Sequence, residues 1–179
     1  MTGRICGTGS YVPARIVEND ELANLVDTND AWIRERTGIA RRHLAENETT
    51  SYMAAEAAKR ALAQSDIPAE NVDLILVATS TPETVFPCTA CEVQREIHAE
   101  HAAGFDLNAA CSGFLFALQT AQAYIQAGIY RTVLVIGVDS MSHMVDWSDR
   151  STCILFGDGA GAVVLRESEG GLFVQAAHS

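Results

Sequence analysis

Positive charge is what this sequence most lacks. Twelve lysines and arginines stand against 23 aspartates and glutamates, leaving a formal charge of -11. That balance argues against a nucleic-acid binder and against a membrane-surface binder, both of which need a basic face. Any anionic ligand must then be held by a local patch. No basic-then-apolar leader opens the sequence, and no apolar run is long enough to cross a bilayer, so the expected location is the cytoplasm. Linkers, internal repeats and low-complexity segments are also missing. Residues 1–179 therefore read as one domain, long enough to bury a substantial core.

Cysteine is present but not organised. The five (Cys6, Cys88, Cys91, Cys111 and Cys153) are an odd number without framework spacing, which suits a reducing compartment. Cys88 and Cys91 form a C-x-x-C that could be a redox pair or half of a zinc site. No second pair and no nearby pair of histidines completes a zinc site, so neither metal nor redox chemistry is expected of this pair.

Cys111 is the cysteine with a setting of its own. It sits in GFDLNAACSGFLFAL (104 to 118), which reads as a short buried strand, a tight small-residue turn and a helix apolar on every side. Unpaired N–H groups and the positive end of the helix dipole at such a turn favour an anion, and so a thiolate. A free cysteine is also commonly a small buried hydrophobe. The small neighbours Ala109, Ala110, Ser112 and Gly113 favour the nucleophile, since they leave room for a substrate beside the sulfur.

The rest of the chain alternates strands with helices. Arg4 to Val12, Val72 to Ala78, Phe105 to Leu107 and Thr132 to Val138 have strand character, and the second and last are apolar enough to be covered on both faces. Helices are expected from Asn19 to Leu25, from Thr28 or Asn29 onward, from Thr49–Ser51 to about Ala63, and from Cys88 to Ile97, with Gly128 capping the helix after Cys111. Ser151 to Phe156 and Ala160 to Leu165 read as two further strands joined by Gly157-Asp158-Gly159, an antiparallel addition at a sheet edge. Such alternation implies a mainly parallel sheet with helices on both faces. Gly7-x-Gly9 lacks the third glycine of a dinucleotide fingerprint and reads as a tight turn.

Arg34-Glu35-Arg36 and Arg41-Arg42-His43 form the basic cluster in this acidic chain. It is either a solvated, ion-paired surface or a site for a phosphorylated aromatic ligand. In the second case Trp32 and Arg36, four apart on one helix face, would supply the stacking surface and a phosphate contact.

Five stretches, in order and at matching spacing, resemble the ketoacyl-acyl-carrier-protein synthase III family of the thiolase superfamily. They are GTGSYVP (7 to 13), DTNDAWIRERTGI (27 to 39), FPCTAC (86 to 91), DLNAACSGFLFAL (106 to 118) and DRSTCILFGDGAGAVVL (149 to 165). The resemblance implies one half of a thiolase-like α/β fold: a mixed, mainly parallel five-stranded sheet with helices on both faces and a buried nucleophile helix. It implies Cys111 as a nucleophile that takes an acyl group from acyl-CoA, with its own N–H in an oxyanion hole. The acyl-enzyme would then condense with malonyl-acyl-carrier protein to start fatty-acid synthesis. Trp32 and Arg150 would sandwich the adenine of CoA, Thr28 and Arg36 would contact its nucleotide end, and Phe86 would shape the acyl pocket across a homodimer interface. Acyl-CoA is a substrate in this scheme, and no cofactor is implied.

Family members activate malonyl decarboxylation with a histidine and an asparagine from a second half of the fold. This sequence stops at Ser179, and His43, His98, His101, His143 and His178 fall in none of the catalytic motifs. The expectation is an N-terminal half that is inactive alone in condensation and that exposes an apolar surface. Two rival readings share the fold: another acyl-CoA condensing enzyme or acyltransferase of the superfamily, or a non-catalytic partner subunit, against which Cys111 argues.

Overall fold

A strand made only of Leu74, Ile75, Leu76, Val77 and Ala78 has no face to offer water, and all five residues are buried. A computed structural model of the chain describes residues 1–170; His178 and the end of the expected 1–179 domain lie outside the described residues. The strands are β1 (Thr2–Tyr11), β2 (Arg15–Glu18), β3 (Arg41–Leu44), β4 (Leu74–Ala78), β5 (Ala103–Leu107), β6 (Thr132–Ser140) and β7 (Asp158–Ser168). The helices are α1 (Asn19–Leu22), α2 (Asp30–Thr37), α3 (Thr50–Ser65), α4 (Thr89–Glu96), α5 (Gly113–Gln126) and α6 (Arg150–Cys153).

Five strands form one sheet in the order β1-β7-β6-β4-β5, and β2 pairs with β3 in a separate two-stranded sheet. β4 is parallel to both β5 and β6, whereas β7 is antiparallel to both β6 and β1. Four strands thus run one way and β7 the other, which is the mixed, mainly parallel sheet expected. Alternate residues of β4 feed two cores. Ile75 and Val77 pack with α3 and α4 on one face; Leu74, Leu76 and Ala78 pack with Ala117, Ala121 and Ile125 of α5 on the other. A third cluster gathers Val17, Leu22, Ile33, Leu44, Cys153 and Ile154 beneath the small sheet.

Four expectations change. Ser151 to Phe156 is not a strand: Asp149 accepts hydrogen bonds from the Ser151 N–H (2.9 Å), the Ser151 hydroxyl (2.7 Å) and the Thr152 hydroxyl (2.8 Å), which starts a helical turn. β7 is not an edge, because β1 pairs along its outer side from Thr2↔Ser168 to Tyr11↔Ala160. Gly7 and Gly9 are not in a turn but within β1, where α3 crosses. A Cβ on Gly9 would lie 2.2 Å from the Ala57 carbonyl oxygen, and one on Gly7 2.3 Å from that of Ala61. Asn19 does not cap α1, since Glu18 and Glu21 form a reciprocal capping box there.

Arg42 also leaves the basic surface cluster. It is buried in β3 and donates to Asn19 Oδ1 (2.8 Å) and to the Ile154 and Val17 carbonyls (3.2 and 3.4 Å). Burial holds its pKa below the usual guanidinium range. Arg42 therefore ties the small sheet to the residues after α6.

The close approach of α3 gives a direct test. Gly9→Ala is expected to destabilise the chain by about 3 kcal/mol through backbone overpacking, lowering Tm by about 6–12 °C. Gly161→Ala, whose Cβ would meet nothing within 4 Å, should shift stability by less than about 0.5 kcal/mol. Equal melting temperatures for the two variants in calorimetry would contradict this packing.

Candidate active site

Cys111 is presented by a strand–turn–helix unit with one strained residue. β5 ends at Leu107, a single 3-10 turn covers Ala110–Ser112, and α5 begins at Gly113. Ala110, just before the cysteine, has φ +47°, a left-handed conformation that costs a non-glycine residue on the order of 1 kcal/mol. Asn108 helps to hold it, its side-chain oxygen accepting from the Ala110 N–H at 3.3 Å. Gly113 lets the helix start close to β4: a Cβ there would lie 3.2 Å from that of Ala78. No side chain caps α5; the Gly113 N–H that opens it closes the 3-10 turn on the Ala110 carbonyl.

The thiol is exposed and lines a pocket of about 260 Å³ with Ala78, Ala110, Phe114, Gly137, Asp139 and Gly159 among its walls. The walls are mostly small residues, but of the four small neighbours expected beside the sulfur only Ala110 lines the pocket; Ala78, Gly137, Gly157 and Gly159 come from other elements. The helix behind it is not buried all round. α5 lies on one face of the sheet and buries Gly113, Ala117, Ala121, Gln122 and Ile125. Its outer face leaves Leu115 61% and Phe116 51% exposed. Gln122 is the polar member of the inner stripe, and its amide exchanges two hydrogen bonds with the Gly3 backbone, at 2.8 and 2.9 Å.

Three carboxylates that sequence reasoning passed over hold the frame. Asp139, at the end of β6, accepts from the Ser80 N–H at 2.8 Å and from the Thr79 and Thr81 hydroxyls at 3.4 and 3.3 Å. The Ser80 hydroxyl continues to Asn108 Oδ1 at 3.2 Å, so a chain of contacts joins Asp139 to the turn before Cys111. Asp158 accepts from the Ala45 and Ser142 N–H groups at 2.7 and 2.8 Å. Asp106 accepts from the Thr89 and Ala90 N–H groups, both at 2.8 Å, and so anchors α4 on β5. The available signal was a lone acid inside or at the end of an apolar strand run, a position an acid occupies only when paired.

The aromatic–arginine group forms a second cluster. Asn29 caps α2, accepting from the Trp32 N–H at 2.8 Å, and the helix ends at Gly38 with φ +72°. The Arg36 and Arg150 guanidinium carbons lie 4.2 and 4.0 Å from the Trp32 ring centroid. Arg150 also reaches Asp27 at 4.0 Å. α6 positions it, capped by Asp149, whose carboxyl is held below the usual carboxylate range first by the Ser151 hydroxyl and then by the Ser151 N–H and Thr152 hydroxyl. The Thr28 hydroxyl oxygen is buried without a hydrogen-bond partner. None of Thr28, Trp32, Arg36 or Arg150 lines the Cys111 pocket. Phe86 stands apart from both groups, 91% exposed.

Two larger hollows, of about 510 and 470 Å³, contain neither Cys111 nor any of these residues. His143 lines both, His43 contacts the Pro13 carbonyl oxygen at 2.7 Å, and no histidine lines the Cys111 pocket among the described residues. No metal-holding group of His, Cys, Asp or Glu occurs among the described residues. Cys153 is buried, which pushes its thiol pKa up. Removing the acceptor in Asp139→Ala leaves the Ser80 N–H unpaired, with an expected cost of about 1–3 kcal/mol. A urea midpoint equal to that of the parent chain would contradict that role.

Residues 105–179 match the family model described as 3-Oxoacyl-[acyl-carrier-protein (ACP)] synthase III. The chain is 53% identical over 167 residues to a beta-ketoacyl-acyl-carrier-protein synthase III of Xylella fastidiosa, covering 93% of this chain and 52% of that protein. A Clostridium acetobutylicum protein of the same name is 54% identical over 162 residues, with 90% and 50% covered. The crystal structure of 3-oxoacyl-acyl-carrier-protein synthase III from Aquifex aeolicus superposes with a TM-score of 0.92 at 50% identity, over 94% of this chain and 55% of that one. The chain thus spans about half the length of the curated relatives it matches. In sequence and fold the chain is similar to 3-oxoacyl-acyl-carrier-protein synthase III proteins over about half of their length, and its described residues form half of a thiolase-like fold.

Proposed function

We propose that this chain carries the acyl-transfer half of a condensing enzyme that starts fatty-acid synthesis. The observation that carries this reading is Cys111: an exposed thiol on a strained strand-to-helix turn, in a small-walled pocket, within a chain half identical to synthase III proteins. The Cys111 sulfur attacks the thioester carbonyl of an acyl-CoA. Charge builds on the thioester oxygen, and the N–H of Cys111, in the turn before α5, stabilises it. The C–S bond to CoA then breaks, the thiolate of CoA leaves with the electron pair and takes up, through solvent, the proton that Cys111 lost, and the acyl group remains on Cys111.

Condensation follows when the carbanion from decarboxylation of malonyl-acyl-carrier protein attacks that acyl-enzyme. That step needs a group to support decarboxylation, and no histidine lines the Cys111 pocket among the described residues. Acyl transfer is the step that this chain's own described residues support. The setting we infer is the cytoplasm, in a homodimer where Phe86 of one copy shapes the acyl pocket of the other. Acyl-CoA and acyl carrier protein are the partners.

Trp32 and Arg150 take the adenine of CoA, with Arg36 and Thr28 at the nucleotide end. An aromatic base needs a layer about 3.5 Å thick. Arg150, 4.0 Å from the Trp32 centroid, must therefore lift away to admit it. It gives up its cation–π contact with Trp32 and a weak 4.0 Å ion pair with the fully exposed Asp27.

Two outcomes are expected with acetyl-CoA. Mass spectrometry of tryptic peptides should find an acetyl group, about 42 Da, on the peptide from Glu96 to Arg131, whose one cysteine is Cys111; Cys111→Ala should abolish it. An adduct on another cysteine, or one that survives Cys111→Ala, would sink the assignment. Trp32→Ala should raise the half-saturating acetyl-CoA concentration about tenfold through lost stacking, while acylation at saturation stays within about twofold. An unchanged half-saturation would remove Trp32 from the CoA site.

A further inference from the structure

Neither cysteine of the C-x-x-C at Cys88 and Cys91 lines the Cys111 pocket, yet the geometry of the pair is specific. Cys88 is the N-cap residue of α4 and Cys91 lies in the first turn. The Cys91 and Glu92 N–H groups donate to the Cys88 carbonyl at 3.0 and 3.2 Å. The intervening Thr89 and Ala90 are buried, and the Asp106 carboxylate holds both of their N–H groups at 2.8 Å. The turn is therefore fixed on both sides, and the two sulfurs it carries stand 3.4 Å apart. Both are free and half-buried. With no third metal ligand beside them among the described residues, the chemistry left to such a pair is with each other.

We propose that Cys88 and Cys91 form a reversible dithiol–disulfide site that reacts with a hydroperoxide. Cys88 attacks one oxygen of the peroxide; the O–O bond breaks, and water leaves once the departing oxygen is protonated. The Cys88 sulfur is now a sulfenic acid, oxidised by two electrons. The Cys91 sulfur attacks it, the S–S bond forms at about 2.0 Å, the S–O bond breaks, and the thiol proton leaves with the hydroxide as a second water. In sum, two thiols and one hydrogen peroxide give one disulfide and two waters. A thiol reductant reverses the change by exchange.

The Cys91 thiol pKa is raised, first by its bond to Cys88 and then by burial; the balance is the same whichever sulfur meets the oxidant first. The site is independent of the acyl-transfer reading. It is tied structurally to the same strand, because Asp106 stands in β5 ahead of Cys111.

Trypsin separates this site from Cys111, since the peptide from Ala61 to Arg95 holds Cys88, Cys91 and no other cysteine. The purified 179-residue chain is exposed to hydrogen peroxide, blocked with N-ethylmaleimide and digested. The expected product is this peptide unblocked and about 2 Da lighter than the dithiol, exceeding its sulfinic and sulfonic forms about tenfold because closure is intramolecular. Dithiothreitol should restore both thiols. Cys88→Ser, which places a good N-cap residue at the start of α4, and Cys91→Ala should each abolish the lighter peptide. The proposal is overturned if both cysteines of this peptide remain blocked after the Cys111 peptide has been oxidised. Oxygen added to one sulfur without a disulfide overturns it equally.

Discussion

The structure depends on burying β4 from both sides. Its five apolar residues leave no solvent face, so helices must cover the sheet above and below. Ile75 and Val77 call for α3 and α4, and Leu74, Leu76 and Ala78 call for α5. That division sets the chemistry as well as the packing. The helix that covers one face begins beside the exposed Cys111, and the helix pair on the other face brings the Cys88–Cys91 pair. β5, the neighbour of β4, is joined to both sides: it runs directly into the Cys111 turn, while its Asp106 caps α4.

Features that rest on local composition were legible in the sequence. The apolar runs behind β4 and β6, the capping residues Asn29 and Thr49, and Gly128 after α5 all lie where their chemistry places them. The Cys111 turn was legible because its small residues, its strand and its helix are contiguous. The pairing of Trp32 with Arg36 follows from helix spacing alone, whereas Arg150 reaches the same ring from a helix more than a hundred residues away. That contact entered through the family resemblance, not through any local pattern.

What was hidden is long-range. β2 and β3 are four residues each, carry charged side chains and pair across more than twenty positions, so neither looks like a strand by itself. Arg42 sits among arginines in the sequence but is buried, because its neighbours Asn19, Val17 and Ile154 come from other elements. Gly7 and Gly9 look like turn glycines until α3 is placed across them. Ser151 to Phe156 has strand-like residues, yet the cap at Asp149 wins because three donors within three residues satisfy one carboxylate. α5 reads as apolar all round, and the face that includes Leu115 and Phe116 stays exposed because the sheet covers only one stripe.

The central claim is that the β5–α5 turn makes Cys111 a nucleophile directed at a CoA thioester, rather than one exposed thiol among several. Cys6 supplies the control, being exposed in the same chain and alone on its own tryptic peptide, Ile5 to Arg15. The most direct measurement is the alkylation rate of each by iodoacetamide, with and without CoA. The account predicts that Cys111 reacts at least about tenfold faster than Cys6 and that CoA slows Cys111 alone. Equal rates at the two cysteines, with no protection by CoA, would contradict it.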